Sequence, residues 1–145
     1  MVLTLCARSK ERGAAIRALD LLDSMEELYS QGHTDVIANT RCYSAVITAW
    51  ARSGSPDTVR RAFELLDRME RNKLEGSPHA SPNSYCYNCC IHAIAKSSEA
   101  DKVKYCVEIL RRMNEAKDSG HHDCAPTLIT YSTIINGEFH LRSVF

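Results

Sequence analysis

At 145 residues, with 44% hydrophobic and 25% charged positions, the chain has the composition of a soluble globular domain. Lys plus Arg and Asp plus Glu number 18 each, so overall charge gives no support for a polyanionic partner, although a solenoid can segregate charge between its faces. No apolar run approaches the roughly 18 residues needed to span a bilayer.

The organising feature is a fixed period. Asn39 to Met69 returns in altered form as Asn83 to Met113, and Tyr43, Tyr87 and Tyr131 are spaced by 44 residues, as are Met25, Met69 and Met113. A period of this length running through the chain marks stacked helical units.

In chain order, Met1 to Ser9 reads as the tail of a first helix. M-V-L-T-L-C-A-R aligns by the same shift with Ala45 to Arg52, so it is repeat sequence rather than a signal core, and any presequence is expected upstream. Ile16, Leu19, Leu22 and Met25 give helical periodicity to the next element, which starts near Gly13. Ser30 to Asn39 is a loop. A helix from about Thr40, capped by Asn39 or Thr40, carries the stripe Tyr43, Val46, Ile47 and Trp50 and stops at Ser53-Gly54. Ser55-Pro56-Asp57 then reads as a helix start, lined further on by Val59, Ala62, Phe63, Leu66 and Met69. Asn72 to Pro82 is a loop rich in Gly, Pro and Ser. A third pair spans about Ser84 to Ser97 and Glu99 to Lys117, with Ser98 and Asp101 as a capping box. Asp118 to Pro126 is again loop, and Leu128 to about Asn136 opens a fourth unit whose match fades after Ile135.

These readings divide the chain into a partial repeat (1–39), full repeats (40–83 and 84–127) and a truncated one (128–145). The expected fold class is all-α: a right-handed α-solenoid of antiparallel hairpins, whose open ends favour self-association. The seven cysteines occupy small packing positions: Cys106 stands where Ala62 and Ala18 do, and Cys89 where Ala45 does. They read as small hydrophobes in a reducing compartment.

The motifs Tyr43-Ser44-x-Val46-Ile47, Arg52-Ser53-Gly54 and Ala62-Phe63-Glu64-Leu65-Leu66-Asp67-Arg68-Met69 resemble the pentatricopeptide repeat family, as does Pro82-Asn83 ahead of Tyr87-Asn88. The departure is length, since that family's unit is about 35 residues, close to the 34 of the related tetratricopeptide. The excess lies in the loops after the second helices.

The resemblance implies binding of single-stranded RNA, one base per repeat, in organellar RNA processing, editing, stability or translation, in a mitochondrion or plastid. It implies base selection by Ser44, Asn88 and Ser132, with partners Asn39, Asn83 and Thr127. Ser44 with Asn83 resembles an adenine-selecting pair, and Asn88 favours a pyrimidine. It implies base stacking by Arg41, Tyr85 and Ile129. Independently of any family, Arg8, Arg52 and Lys96 are repeat-equivalent cations, suited to phosphates along a groove or to capping helix C-termini.

Cys86-x-x-Cys89 with His121, His122 and Cys124 has zinc-ligand residue types, but lies across a helix start and a loop; no metal or cofactor is expected. His92 shares the face of Ser44 and Thr48 equivalents. No phosphate loop, nucleophile elbow or paired-carboxylate motif occurs, so catalysis is not expected. The alternative function is a protein-binding scaffold of the tetratricopeptide or HEAT kind, favoured by zero net charge and by a period within the range of about 40–47 residues for HEAT and armadillo repeats.

Overall fold

The computed structural model describes residues 2–9 and 11–142. Those residues are all-helical: α1 (Val2–Arg8), α2 (Arg12–Ser30), α3 (Thr40–Ser53), α4 (Thr58–Leu74), α5 (Ser84–Lys96), α6 (Lys102–Asp118) and α7 (Leu128–Arg142). The starts of α3, α5 and α7 are 44 residues apart. Each is preceded by a polar residue that satisfies an orphan backbone donor: Asn39 accepts from the Cys42 N–H at 3.1 Å and Asn83 from the Cys86 N–H at 3.0 Å. α3 ends where Gly54 enters the left-handed region at φ 65°, a conformation that side-chain-bearing residues disfavour.

The helices form two layers. α1 packs on α3, α3 on α5 and α5 on α7, so the first helices make a continuous inner layer. α2, α4 and α6 each pack on first helices but not backbone-to-backbone on one another. Neighbours close together on one side and splayed on the other make the first-helix side concave. Small side chains permit the close side: Ala49 and Ala93 are fully buried, and a Cβ added to Gly137 would lie 3.2 Å from that of Ala95.

Long side chains bridge the splayed side. Arg68 binds Asp23 at 2.9 Å and also Glu26; Arg112, 44 residues on, binds Asp67 at 2.6 Å and Glu70 at 3.2 Å. Arg68 lies over the Tyr43 ring and Arg112 over Phe63. The two buried tyrosines find hydroxyl partners on α4: Asn72 donates to Tyr43 at 3.0 Å, and Tyr87 donates to Glu70 at 3.0 Å. Burial, then the Glu70 charge, pushes the Tyr87 phenol far up.

Three local expectations are corrected. α4 begins at Thr58, after Pro56, because Thr58 turns its hydroxyl back to the Trp50 and Ser55 carbonyls at 3.0 and 2.8 Å. The Ser98–Asp101 capping box does not form: α6 starts at Lys102, and Ser97 is the serine that accepts from a following N–H, that of Glu99. The long loops are not featureless. Pro78–Ala80 and His122–Cys124 are equivalent 3₁₀ turns, and each seats a small residue in the core, Ala80 and Cys124. Thr40 donates to the Ser81 carbonyl at 2.8 Å, and the Cys124 thiol points at the Pro82 carbonyl at 3.3 Å. The extra length of the 44-residue unit therefore folds back onto the junction between repeats. Burial, then Asp123, raises the Cys124 thiol to about 11, so it stays protonated at neutral pH.

All seven cysteines are free thiols. Among the described residues no three His, Cys, Asp or Glu side chains gather to hold a metal. No helix among the described residues is long and apolar enough to cross a membrane.

Candidate nucleic-acid interface

The inner layer differs chemically from the outer one. α1, α3 and α5 contain no Asp or Glu at all, yet carry Arg8, Arg41, Arg52, His92 and Lys96. On α4 and α6, Arg60, Arg61, Arg68, Arg111 and Arg112 are each paired with a carboxylate. Arg8, Arg52 and Lys96 are exposed, and none forms an ion pair among the described residues. Arg52 reaches back along the array and donates to the Arg8 carbonyl at 3.4 Å. A chain of zero net charge thus presents unpaired positive charge on its concave side.

A cleft of about 300 Å³ opens on this layer where α3, α5 and α7 meet. Its walls are Tyr85 and Ile129, 63% and 66% exposed, on the first turns of α5 and α7. Asn88 stands between them, with Thr48, Cys89, His92 and Thr133 completing the lining. Arg41 lies near enough to act on the Tyr85 phenol. Burial raises the Cys89 thiol, so the cleft contains no thiolate at neutral pH.

Asn88 is held in place by its neighbours. Thr130 Oγ1 donates to Asn88 Oδ1 at 2.6 Å, and Asn88 Nδ2 donates to Thr127 Oγ1 at 3.4 Å. An asparagine amide offers two donors and two lone pairs, so one of each remains for a ligand. Asn88 and Thr127, expected as a selecting pair, are in direct contact.

Ser44 is different. It is 3% exposed; its hydroxyl donates to the Thr40 carbonyl at 2.9 Å and lies 3.1 Å from the Cys86 sulfur. The expected row of three open side chains therefore does not exist, because a serine is too short to clear the wall made by Cys86. Ser132, partly exposed, donates to the Leu128 carbonyl of its own helix at 2.7 Å. Asn39 and Asn83 use their carbonyl oxygens as helix caps, which the sequence also pointed to for Asn39, and no bond joins Asn83 to Ser44. Sequence reasoning missed Thr130, the buried residue that orients Asn88. Its signal was the 44-residue equivalence with Cys42 and Cys86, which places it at the same inward position.

Two further clefts lie at the loop ends of the second helices. One includes Glu26, Glu75 and His79, the other Glu70, Arg111, Arg112 and Glu115. Arg111 and Arg112 are already committed to carboxylates, which leaves neither cleft an unpaired arginine for an anion.

Stacked helical hairpins, with cations and no acid on α1, α3 and α5, define a helical-repeat protein. Residues 80–137, which run across α5, α6 and the first part of α7, match the family model of the pentatricopeptide repeat domain. Pentatricopeptide repeat proteins are in general RNA-binding helical-repeat proteins and not enzymes. No curated protein and no solved structure matches the chain.

Proposed function

We propose that this chain binds single-stranded RNA on its first-helix layer, with one base inserted between Tyr85 and Ile129 and read by Asn88 and Thr127. The observation that carries this reading is the cleft itself, about 300 Å³ with a pre-oriented amide between two exposed apolar walls. That volume is at the small end of ligand clefts, which run roughly from 300 to 1,000 Å³, and suits one flat heteroaromatic ring. Stacking supplies affinity, the free donor and acceptor of Asn88 supply selection, and Arg8, Arg52 and Lys96 meet the phosphates. Ser44 is left out of base reading while its hydroxyl faces Cys86. By the family resemblance the setting is organellar RNA processing, editing, stability or translation, in a mitochondrion or plastid.

Fluorescence titration with single-stranded RNA of defined sequence, at two salt concentrations, tests the proposal. Binding that weakens with salt and loses its base preference in Asn88→Ala supports it. Capture of a helical peptide with no RNA binding would replace it with the protein-scaffold reading.

A further inference from the structure

We infer that His92 is a phosphate-binding residue of this groove and takes up a proton when RNA binds, so that affinity rises as pH falls. The inference rests on the RNA-binding reading above and adds a residue and a regulation to it.

Asn88, His92 and Lys96 are spaced at four-residue intervals on α5 and therefore share one face. His92 lies on the lining of the cleft, one turn beyond the base-reading amide and one turn before the cation. Its ring is exposed and makes no hydrogen bond among the described residues, so both nitrogens are uncommitted. The charged groups acting on it are Lys96 on its own helix and Arg52 on α3. Tyr85 and Cys89 share the cleft from α5, and α7 contributes the uncharged Ile129 and Thr133. No carboxylate on α1, α3 or α5 is available to offset a third positive charge there.

An imidazole between two unpaired cations is held neutral, because partial burial first, then Lys96 and Arg52, lower its pKa. An RNA phosphate entering between Arg52 and Lys96 reverses the sign of that field. The protonated ring then becomes a third donor to the anion, and the bound complex holds more protons than the free protein. Histidine is the side chain whose ordinary pKa makes such an exchange occur near neutrality.

The test uses the 145-residue chain and a rhodamine-labelled oligouridylate of about twelve residues at constant ionic strength, because neither uracil nor the dye titrates between pH 5.5 and 7.5. The wild type is expected to bind roughly 3–10-fold more tightly at pH 5.5 than at 7.5, a gain of the size one added ion pair provides. His92→Gln keeps a polar group of similar reach and is expected to bind with a flat profile. Calorimetry in two buffers of different ionisation enthalpy should show proton uptake for the wild type and none for His92→Gln. Binding with the same pH slope in both proteins overturns the inference and leaves the groove reading standing. No binding at any pH overturns both.

Discussion

The Ser44 hydroxyl lies 3.1 Å from the Cys86 sulfur, and 44 residues further on Thr130 donates to Asn88 at 2.6 Å. The two pairs are the same contact in successive repeats, each joining a residue on one first helix to a residue 42 positions later on the next. Serine spends its only hydroxyl on this contact and its own helix, whereas asparagine satisfies it with one atom and keeps others free. Ser44→Ala should therefore lower stability by about 1 kcal/mol, the net worth of a buried hydrogen bond, without changing base preference. Asn88→Ala should abolish base preference at the cleft. Urea melts and competition with oligonucleotides of defined sequence separate the two effects.

Tyr85 is mostly exposed and packs little of itself into the core. Tyr85→Ala should leave the unfolding midpoint nearly unchanged and weaken RNA binding by about 1–3 kcal/mol, the value of one stacked base. Tyr85→Phe should bind like the wild type, since stacking needs the ring and not the hydroxyl. Equal weakening in both variants would rule out stacking as the source.

Arg52 and Lys96 should act as point charges. Arg52→Gln or Lys96→Gln should each reduce the slope of log affinity against log salt by about 0.7, the single-strand value per phosphate neutralised. The loss should be the same for every RNA sequence, in contrast with Asn88→Ala. A salt series on three unrelated oligonucleotides is sufficient.

Arg112 is 22% exposed and bridges Asp67, Glu70 and Glu108 while covering Phe63. Replacing it with Ala strands Glu70, whose carboxyl burial already pushes upward in pKa. The expected cost is about 1–3 kcal/mol, below that of breaking a fully buried pair because water reaches part of the network. Arg112→Met, which retains packing on Phe63, should recover part of the loss in a thermal melt.

Without RNA, His92 should work against the fold in acid. Its folded pKa lies below its ordinary value, so the unfolded chain binds the proton more readily. The corresponding stability is fully present above about pH 6.5 and is lost as pH falls through the folded value. Comparing wild type with His92→Gln in urea melts from pH 7.5 to 5 should show a gap that opens on acidification, opposite in sign to the effect of pH on binding.

The period made the hairpins legible because helix starts and apolar stripes recur with it: Asn39 caps α3 as read, its 44-residue equivalent Asn83 proves to cap α5, and Tyr43 and Tyr87 are both buried. The cleft was half legible. Asn88, Thr127, Tyr85 and Ile129 were named by the family resemblance, while equivalence by 44 residues tells only which way a side chain leaves its helix. It does not tell how far the side chain reaches, which is why Ser44 looked equivalent to Asn88 and is sealed instead. The single-turn 3₁₀ segments at Pro78–Ala80 and His122–Cys124 are too short to show periodicity, and their Gly, Pro and Ser neighbours read as loop. Segregation of charge was written in the composition of α1, α3 and α5 but cancelled in the total.

The folded-back loops have a mechanical consequence. Adjacent units are joined on the inner layer by Asn88 with Thr130 and by the loop's Cys124 on the Pro82 carbonyl, and again on the outer layer by Arg112 with Asp67 and Glu70. A joint fastened at two separated points resists rolling and tilting, where a single fastening acts as a pivot. Pulled end to end, this array should behave as a stiff rod up to the force that ruptures a fastening, and the step from one cradle to the next should stay constant under load.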